Sequence, residues 1–455
     1  MRYIALCCFL LLVGCEPPPE PIGNVVLITL DTVRADHIGC YGHDKAKTPV
    51  IDELASEGML FERAMSVAPI TMPTHSSILT GQYPYRHGAR NNGSFPLDTA
   101  ATTLAERFSQ KGYDTVAMVS AMVLDSKYGL DQGFDVYDDD LYAGGAQKMF
   151  MFKEVRAEIT VDKAIAQLRS AELDSPFFMW MHLFDAHADH QPPPPYDVLF
   201  LDQPYDGEIA YVDKQLGRLF HAMKEDGLYD DTTIVLVADH GDSLGDHGEQ
   251  THGIFVYHST THVPLIVKGP TVQPGRAAGL VSQVDIAPTL VAMAGLEPMD
   301  VDGLSLASTL TRDKAVPRRD GVLLESISVR LNFGWHELRA VETDSKKYID
   351  APRPEVYDLT TDFGESNNIY GGEPPYSLAR QIDQWEAVDD MASLKPSRID
   401  KETVNMLEAL GYVSEFATVE DDSGELPDPK DRVDRWVDLQ LCQAMVRAER
   451  HTPAV

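Results

Sequence analysis

Three uninterrupted apolar runs set the frame of this chain. Asn24-Val-Val-Leu-Ile-Thr-Leu30, Phe177-Phe-Met-Trp-Met181 and Thr233-Ile-Val-Leu-Val-Ala238 are short, mostly β-branched or aromatic, and lack the alternation of a half-exposed strand. They read as strands buried on both faces, as in parallel sheets. Each run ends in polar residues: Asp31 after the first, His182, Asp185 and His187 after the second, Asp239-His240-Gly241 after the third. Ligands of open parallel sheets bind at the carboxyl ends of strands, so these residues converge on one expected site. Between the runs, Asp162–Leu168 and Glu208–Lys224 repeat apolar residues every three or four positions, as amphipathic helices do. The alternation of strand and helix predicts an α/β fold, a central mostly parallel sheet with helices on both faces. Pro192–Pro195 reads as a stiff polyproline II loop near the site rim.

From about Gly321 the pattern shortens into strands and turns up to Leu359, which predicts a small α+β C-terminal subdomain. Beyond Thr360 the chain is turn-rich and acidic, above all between Glu420 and Asp431, and a last helical pattern covers Arg432–Glu449. The expected layout is a catalytic unit over 24–320, the subdomain over 321–370, and an acidic tail with a terminal helix over 371–455. No internal repeat is present.

The first residues form a different kind of segment. Met1-Arg2 precedes the apolar stretch Tyr3–Val13, then come Gly14-Cys15 and Glu16-Pro17-Pro18-Pro19. The stretch is too short to span a bilayer. Leu12-Val13-Gly14-Cys15 resembles the bacterial lipoprotein box. That resemblance implies export, acylation of Cys15, a tether over 16–23, and a lipid-anchored, extracytoplasmic place in a bacterial cell envelope. Cys40 and Cys442 then remain as the thiols of the folded part, too few and too far apart to suggest a disulfide framework.

Charge narrows the partners. With 71 acidic against 38 basic residues in 455, the formal charge is −33. This argues against nucleic-acid binding and against electrostatic docking on anionic lipid. It also repels anionic substrates, so a site for a sulfate or phosphate ester needs a local cation.

Asp31, Asp239 and His240 offer oxygen and nitrogen donors suited to a divalent ion. Taken singly, each also fits a turn or cap. The segment Thr71-Met-Pro-Thr-His-Ser-Ser-Ile-Leu-Thr-Gly81 opens with a hydroxyl residue, carries Pro in its first turn and closes on Gly, the outline of a short helix whose N-terminus favours anions. Thr71 is equally what an N-cap requires.

The order of these segments decides between the readings. Asn24–Asp31, Cys40-Tyr41-Gly42, Thr48-Pro49, Thr71–Gly81, Asp239-His240-Gly241, Val263-Pro264-Leu265-Ile266, Glu355-Val-Tyr-Asp-Leu359 and Glu365-Ser-Asn-Asn368 together resemble the sulfatases of the alkaline-phosphatase superfamily. The resemblance covers roughly Asn24 to Asn368. It implies one divalent metal (calcium, manganese, magnesium or zinc) held by Asp31, Asp239 and His240, and touching Thr71 in the nucleophile position. It places His187 at an anion-binding histidine, His252 near an anion-binding lysine, and His262 where an arginine is common. Thr71, His187 and His252 are thus the expected catalytic residues, and His75, His187 and His252 the expected substrate contacts. His182, His190 and His258 are left as structural or rim residues. A second metal bound by Asp185, His187, Asp189 and His190 is a further possibility, as in dinuclear relatives.

The departures from the family pattern carry equal weight. Its signature C-x-P-S-R reads Thr71-Met-Pro73-Thr74-His75 here. Formylglycine, made from Cys or Ser, is therefore not expected. The usual second acidic ligand after the first strand is Thr32. A threonine nucleophile resembles that of the phosphodiesterases and phospho-group transferases of the superfamily. The expectation is a metal-dependent hydrolase of sulfate or phosphate esters. The alternatives are a phospho-group transferase or phosphodiesterase acting on envelope glycans or lipids, and a non-catalytic glycan-binding lipoprotein.

Overall fold

The computed structural model describes residues 21–141, 155–170, 176–312, 314–391 and 426–439, with positions 396, 404 and 442. The segment around Cys15 and most of the acidic tail lie outside the described residues. No helix among the described residues is long and apolar enough to cross a membrane.

The strands are β1 (Asn24–Leu30), β2 (Met59–Met65), β3 (Asp114–Met118), β4 (Val136–Asp138), β5 (Phe177–Leu183), β6 (Thr232–Ala238), β7 (His262–Val263), β8 (Leu265–Lys268) and β9 (Gly275–Ser282). They form one sheet in the order β4-β3-β5-β1-β6-β8-β2-β7, with β9 beside β2. The β4-β3-β5-β1-β6 half is parallel throughout. Beyond β6, β8 and β7 run antiparallel to their neighbours. Val25–Ile28 in β1 and Ile234, Leu236 and Val237 in β6 have no exposed surface, because helices cover both faces. The helices Pro49–Glu57, Ala157–Leu168 and Pro204–Glu225 pack together as one layer, and Thr71–Thr80, Leu104–Gln110 and Ile286–Met293 as the other.

A second sheet follows, formed by β10 (Val322–Ser326), β11 (Leu338–Glu342), β12 (Lys346–Asp350) and β13 (Glu355–Asp358), antiparallel in sequence order. Leu324, Leu338, Ala340 and Ile349 pack there against Met65 and Ile254–Tyr257 of the larger unit. Against the expectation of turns beyond Thr360, Tyr376–Glu386 is a helix. Its Leu378, Ile382 and Trp385 are buried at helical spacing, the first two against Val341, Tyr348 and Val356. Residues 433–439 are helical, as expected, and Val433 and Trp436 join the core between the two sheets.

Two local expectations need correction. The β5 run continues through Leu183, so His182 sits inside the strand. The Pro192–Pro195 loop does not stay in polyproline II conformation: it passes a cis Pro194–Pro195 bond, and Pro195 has φ −89° and ψ 5° before the short helix Tyr196–Leu199.

Candidate active site

The register of the three central strands assembles the site. Leu30 pairs with Leu183 on one side and with Ala238 on the other. Asp31 and Asp239 therefore leave their strands level: the Asp31 amide donates to the Leu183 carbonyl at 2.9 Å and the Asp239 amide to the Leu30 carbonyl at 3.0 Å. The chain then turns sharply at Thr32, whose φ of 55° is unusual for a β-branched residue. Two bonds hold that turn. The Thr32 amide donates to Asp239 Oδ1 at 3.0 Å, and its hydroxyl donates to the Ala186 carbonyl at 2.7 Å. The Thr32 hydroxyl is thus already committed to the backbone.

Asp31, Asp239 and His240 lie close enough, and with suitable donor atoms, to hold one metal ion. The geometry calls for a cation. Both Asp31 oxygens and Asp239 Oδ2 are buried without a hydrogen-bond partner. Burial pushes the Asp31 carboxyl up to about 8, moderated by His252. Burial, and then the neighbouring Asp31, push Asp239 well up. The His240 ring donates through Nδ1 to the Gly241 carbonyl at 3.0 Å, so in the neutral tautomer that burial enforces, Nε2 carries a lone pair. That lone pair lies 3.4 Å from Asp239 Oδ2. Two acceptors facing each other in a dry pocket fit a shared ion and little else.

Thr71 is the first residue of the helix Thr71–Thr80, and Ile70 is the N-cap. The hydroxyl is therefore not used in capping, and Oγ1 lies 3.5 Å from His240 Nε2. The anion-binding helix end expected here is largely filled: Met72 N–H donates to Asn92 Oδ1, Thr74 N–H to the Ile70 carbonyl, and Pro73 has none. His75 is likewise moved from substrate contact to support. Its Nδ1 donates to the Thr71 carbonyl at 2.8 Å and its Nε2 accepts from Thr29 Oγ1 at 3.0 Å, while Thr29 accepts from Trp180 Nε1 at 3.0 Å. Both ring nitrogens are used, and burial keeps the ring neutral.

His182, set aside in the sequence, stands at the centre. Its Nε2 is 3.3 Å from Asp31 Oδ2, and burial lowers it to about 3. The signal that could have found it is its position level with Thr29 on the neighbouring strand, which only the register supplies.

Exposure rises outward, from none at Thr71, Asp31, Asp239 and His240 to 3% at His187 and 6% at His252. The His187 ring stacks on Phe184 at 4.5 Å and meets His252 edge-on at 5.0 Å. His187 Nδ1 donates to the Ala188 carbonyl, and burial, helped by His252, lowers it to about 3. His252 Nδ1 lies 3.4 Å from Asp242 Oδ1. Asp242 in turn faces His190 Nε2 at 3.2 Å, and Glu208 faces His190 Nδ1 at 3.4 Å. Burial opposes charge on His190, but these two carboxylates hold it up at about 9.

The dinuclear arrangement is not formed. Asp185 accepts from the Ala157 amide at 2.6 Å and faces Arg156, and His190 is bound between Asp242 and Glu208. These side chains do not converge with His187 on a common point, and among the described residues no potential ligand cluster includes them. His262 donates to the Glu62 carbonyl within the first sheet, and His258 pairs with Glu342 at the junction with the second.

A parallel α/β sheet thus brings two buried carboxylates, an imidazole and a buried hydroxyl together at its carboxyl edge, with donor atoms that could hold one metal ion. Residues 23–296 match the Sulfatase family and residues 245–389 the N-sulphoglucosamine sulphohydrolase C-terminal family. The chain belongs to the sulfatase family and is an ester hydrolase. It is 25% identical to a Delta 4,5-hexuronate-2-O-sulfatase of Bacteroides thetaiotaomicron, over 85% of this chain and 94% of that one. It is 23% identical to an N-acetylglucosamine-6-O-sulfatase of the same organism, over 76% and 82%. Its fold is shared with a phosphonate monoester hydrolase of Silicibacter pomeroyi, at a TM-score of 0.68 and 22% identity, covering 84% of this chain and 98% of that chain.

Proposed function

We propose that this protein hydrolyses sulfate or phosphate esters with Thr71 as nucleophile in place of formylglycine. The observation that carries the reading is the buried Thr71 hydroxyl, unused as a cap, set 3.5 Å from His240 Nε2 and beside the unpartnered carboxylate oxygens of Asp31 and Asp239. A divalent ion held by Asp31, Asp239 and His240 would supply positive charge for the ester oxygens and lower the cost of ionising the hydroxyl. The Thr71 oxygen attacks sulfur or phosphorus as its proton passes to solvent, the bond to the leaving oxygen breaks, and His252 in its protonated form, oriented by Asp242, gives that oxygen a proton. With its Nδ1 proton spent on the Ala188 carbonyl, His187 holds an oxygen of the substrate anion only as an imidazolium, through Nε2. Water then gives one proton to His252 as its oxygen attacks the sulfo- or phospho-threonine, the bond to the Thr71 oxygen breaks, and that oxygen takes a proton from solvent as the inorganic anion is released.

Thr71 itself favours phosphorus. A sulfo-threonine has no aldehyde-hydrate route for breaking its C–O bond, whereas a phospho-threonine is resolved by attack at phosphorus, by water or by an acceptor alcohol. The second reading is therefore a phosphodiesterase or phospho-group transferase acting on envelope glycans or lipids. Under either reading Cys15 carries a lipid anchor. Labelled fatty acid should enter the protein and be absent from Cys15→Ser.

Purified protein lacking residues 1–15 should release sulfate or phosphate from aryl sulfates, phosphate monoesters or diesters when supplied with manganese, calcium or zinc. Thr71→Ala should lower turnover by about a thousand-fold or more while ion binding persists. Full activity in that variant removes Thr71 from the mechanism. Phosphate appearing on an added alcohol instead of in water identifies the transferase.

A further inference from the structure

A second group of ligating side chains lies outside this site. His37, in the 3-10 turn Ala35–His37, His43 just beyond it, and Asp206, in the first turn of the helix Pro204–Glu225, can together hold a metal ion. His37 Nδ1 is 2.6 Å from Asp206 Oδ1, and His43 Nε2 is 3.7 Å from Asp206 Oδ2. The two imidazoles stack at 5.2 Å with their planes 21° apart. Asp206 is 7% exposed, and the two histidine side chains 21% and 23%.

An acidic residue in a first helical turn needs no ion, since it complements the helix dipole, and a His–Asp hydrogen bond needs none either. His43 is what these explanations leave over. Its Nε2 is buried and has no hydrogen-bond partner, although it points at a carboxylate. Ligands of a tetrahedral ion with bonds of about 2.0–2.1 Å stand about 3.3 Å apart. The two imidazoles meet different oxygens of Asp206, His37 Oδ1 at 2.6 Å and His43 Oδ2 at 3.7 Å, so both rings face one carboxylate, and one nitrogen from each with one of its oxygens lie within 4.8 Å of one another.

We propose that His37, His43 and Asp206 form a second cation site, selective for zinc-class divalent ions, with two imidazole nitrogens, one carboxylate and a fourth position open to solvent. Two imidazoles select zinc, nickel, cobalt or copper over calcium and magnesium, which prefer oxygen donors. The site joins the loop that follows Asp31 to the start of a long helix. The neighbouring Tyr205 already ties the same junction, its hydroxyl donating to the Thr32 carbonyl and accepting from the Arg34 amide. An ion at Asp206 would clamp the loop on the other side of that ring, which meets His37 edge-on at 5.0 Å. The role is structural: it fixes the segment from which Asp31 and Thr32 project.

The test is zinc stoichiometry on untagged, chelator-stripped protein lacking residues 1–15, read by competition with a chromogenic chelator. One equivalent should be lost in His43→Ala and in the closer-shaped His43→Gln, and kept in Asp239→Asn, which removes a ligand of the first site instead. Zinc should raise the melting temperature of Asp239→Asn and not of the Asp239→Asn/His43→Gln double variant. Cobalt bound to Asp239→Asn should show the visible bands of a four-coordinate ion. The proposal is overturned when both His43 variants bind as much zinc as the parent. Failure of the active-site reading alone gives a different pattern, a single equivalent that Asp239→Asn leaves untouched.

Discussion

At Asp31 and Asp239 the free energy is set by what a single residue can tolerate when buried. Two carboxylates and the His240 lone pair share a dry pocket, and without a cation each raises the cost of ionising the others. Breaking such an arrangement acts in opposite directions with and without the ion. Asp31→Asn should lower the affinity for the metal strongly, yet stabilise the stripped protein by about 1–3 kcal/mol at neutral pH, because an amide replaces a carboxyl that burial forces to take up a proton on folding. Thermal melts in chelator and in excess metal check both signs. A variant destabilised in chelator would show that Asp31 is satisfied without an ion. The strained backbone of Thr32 belongs to the same scale: its left-handed φ persists because two hydrogen bonds, to Asp239 and Ala186, hold it.

Elements place these residues by register. Thr29 of β1 bonds both to Trp180 of β5 and to His75 of the helix Thr71–Thr80, so one strand hydroxyl links the sheet to the segment that presents Thr71. Thr29→Val keeps the β-branched shape and removes that link. It leaves a buried indole N–H and an imidazole nitrogen unpaired, which should cost about 1–3 kcal/mol of stability. Turnover should fall as His75 loosens beneath Thr71, though by less than in Thr71→Ala. An unchanged melting temperature in this variant would mean that the chain of bonds from Trp180 to Thr71 carries no load. The far end of the helix is fixed by Gly81 at φ 70°, where a Cβ would approach Val301 Cγ1 to 2.7 Å.

Across the whole molecule, a buried charge network joins the two sheets. Glu342 of β11 meets His258 at 2.9 Å, Arg63 of β2 at 3.0 Å and Lys347 of β12 at 3.7 Å, while Lys347 also reaches Glu365 at 2.8 Å. Burial would raise the Glu342 carboxyl, but His258, Lys347 and Arg63 bring it down to about 2 from 4.5. Its contribution is therefore present above pH 4.5 and lost as the pH falls toward 2. For His258, burial opposes protonation, yet Glu342 and Glu365 raise it overall. That contribution is full below 6.5 and fades as the pH rises through the raised value. Glu342→Gln should destabilise the protein by about 3–5 kcal/mol near pH 6 by leaving Lys347 and Arg63 short of a counter-charge, and should flatten the acid limb between pH 4.5 and 2. Denaturant melts across that range measure it, and an unchanged acid limb would exclude Glu342 as its source.

The sequence by itself determined the strands, the polar residues at their ends and the family. Each of these is written in local pattern: unbroken β-branched runs, and motifs that keep their order from Asn24 to Asn368. Asp31, Asp239, His240 and Thr71 were legible for that reason. Only the tertiary structure decided which histidines serve them. His75 and His182 differ little in the sequence from His187 and His190. Strand register puts His182 against Asp31, helix packing spends both nitrogens of His75 on the backbone and Thr29, and two carboxylates from distant segments turn His190 away from a second metal. A ring nitrogen's role depends on the partner it meets, and those partners come from parts of the chain that only folding brings together.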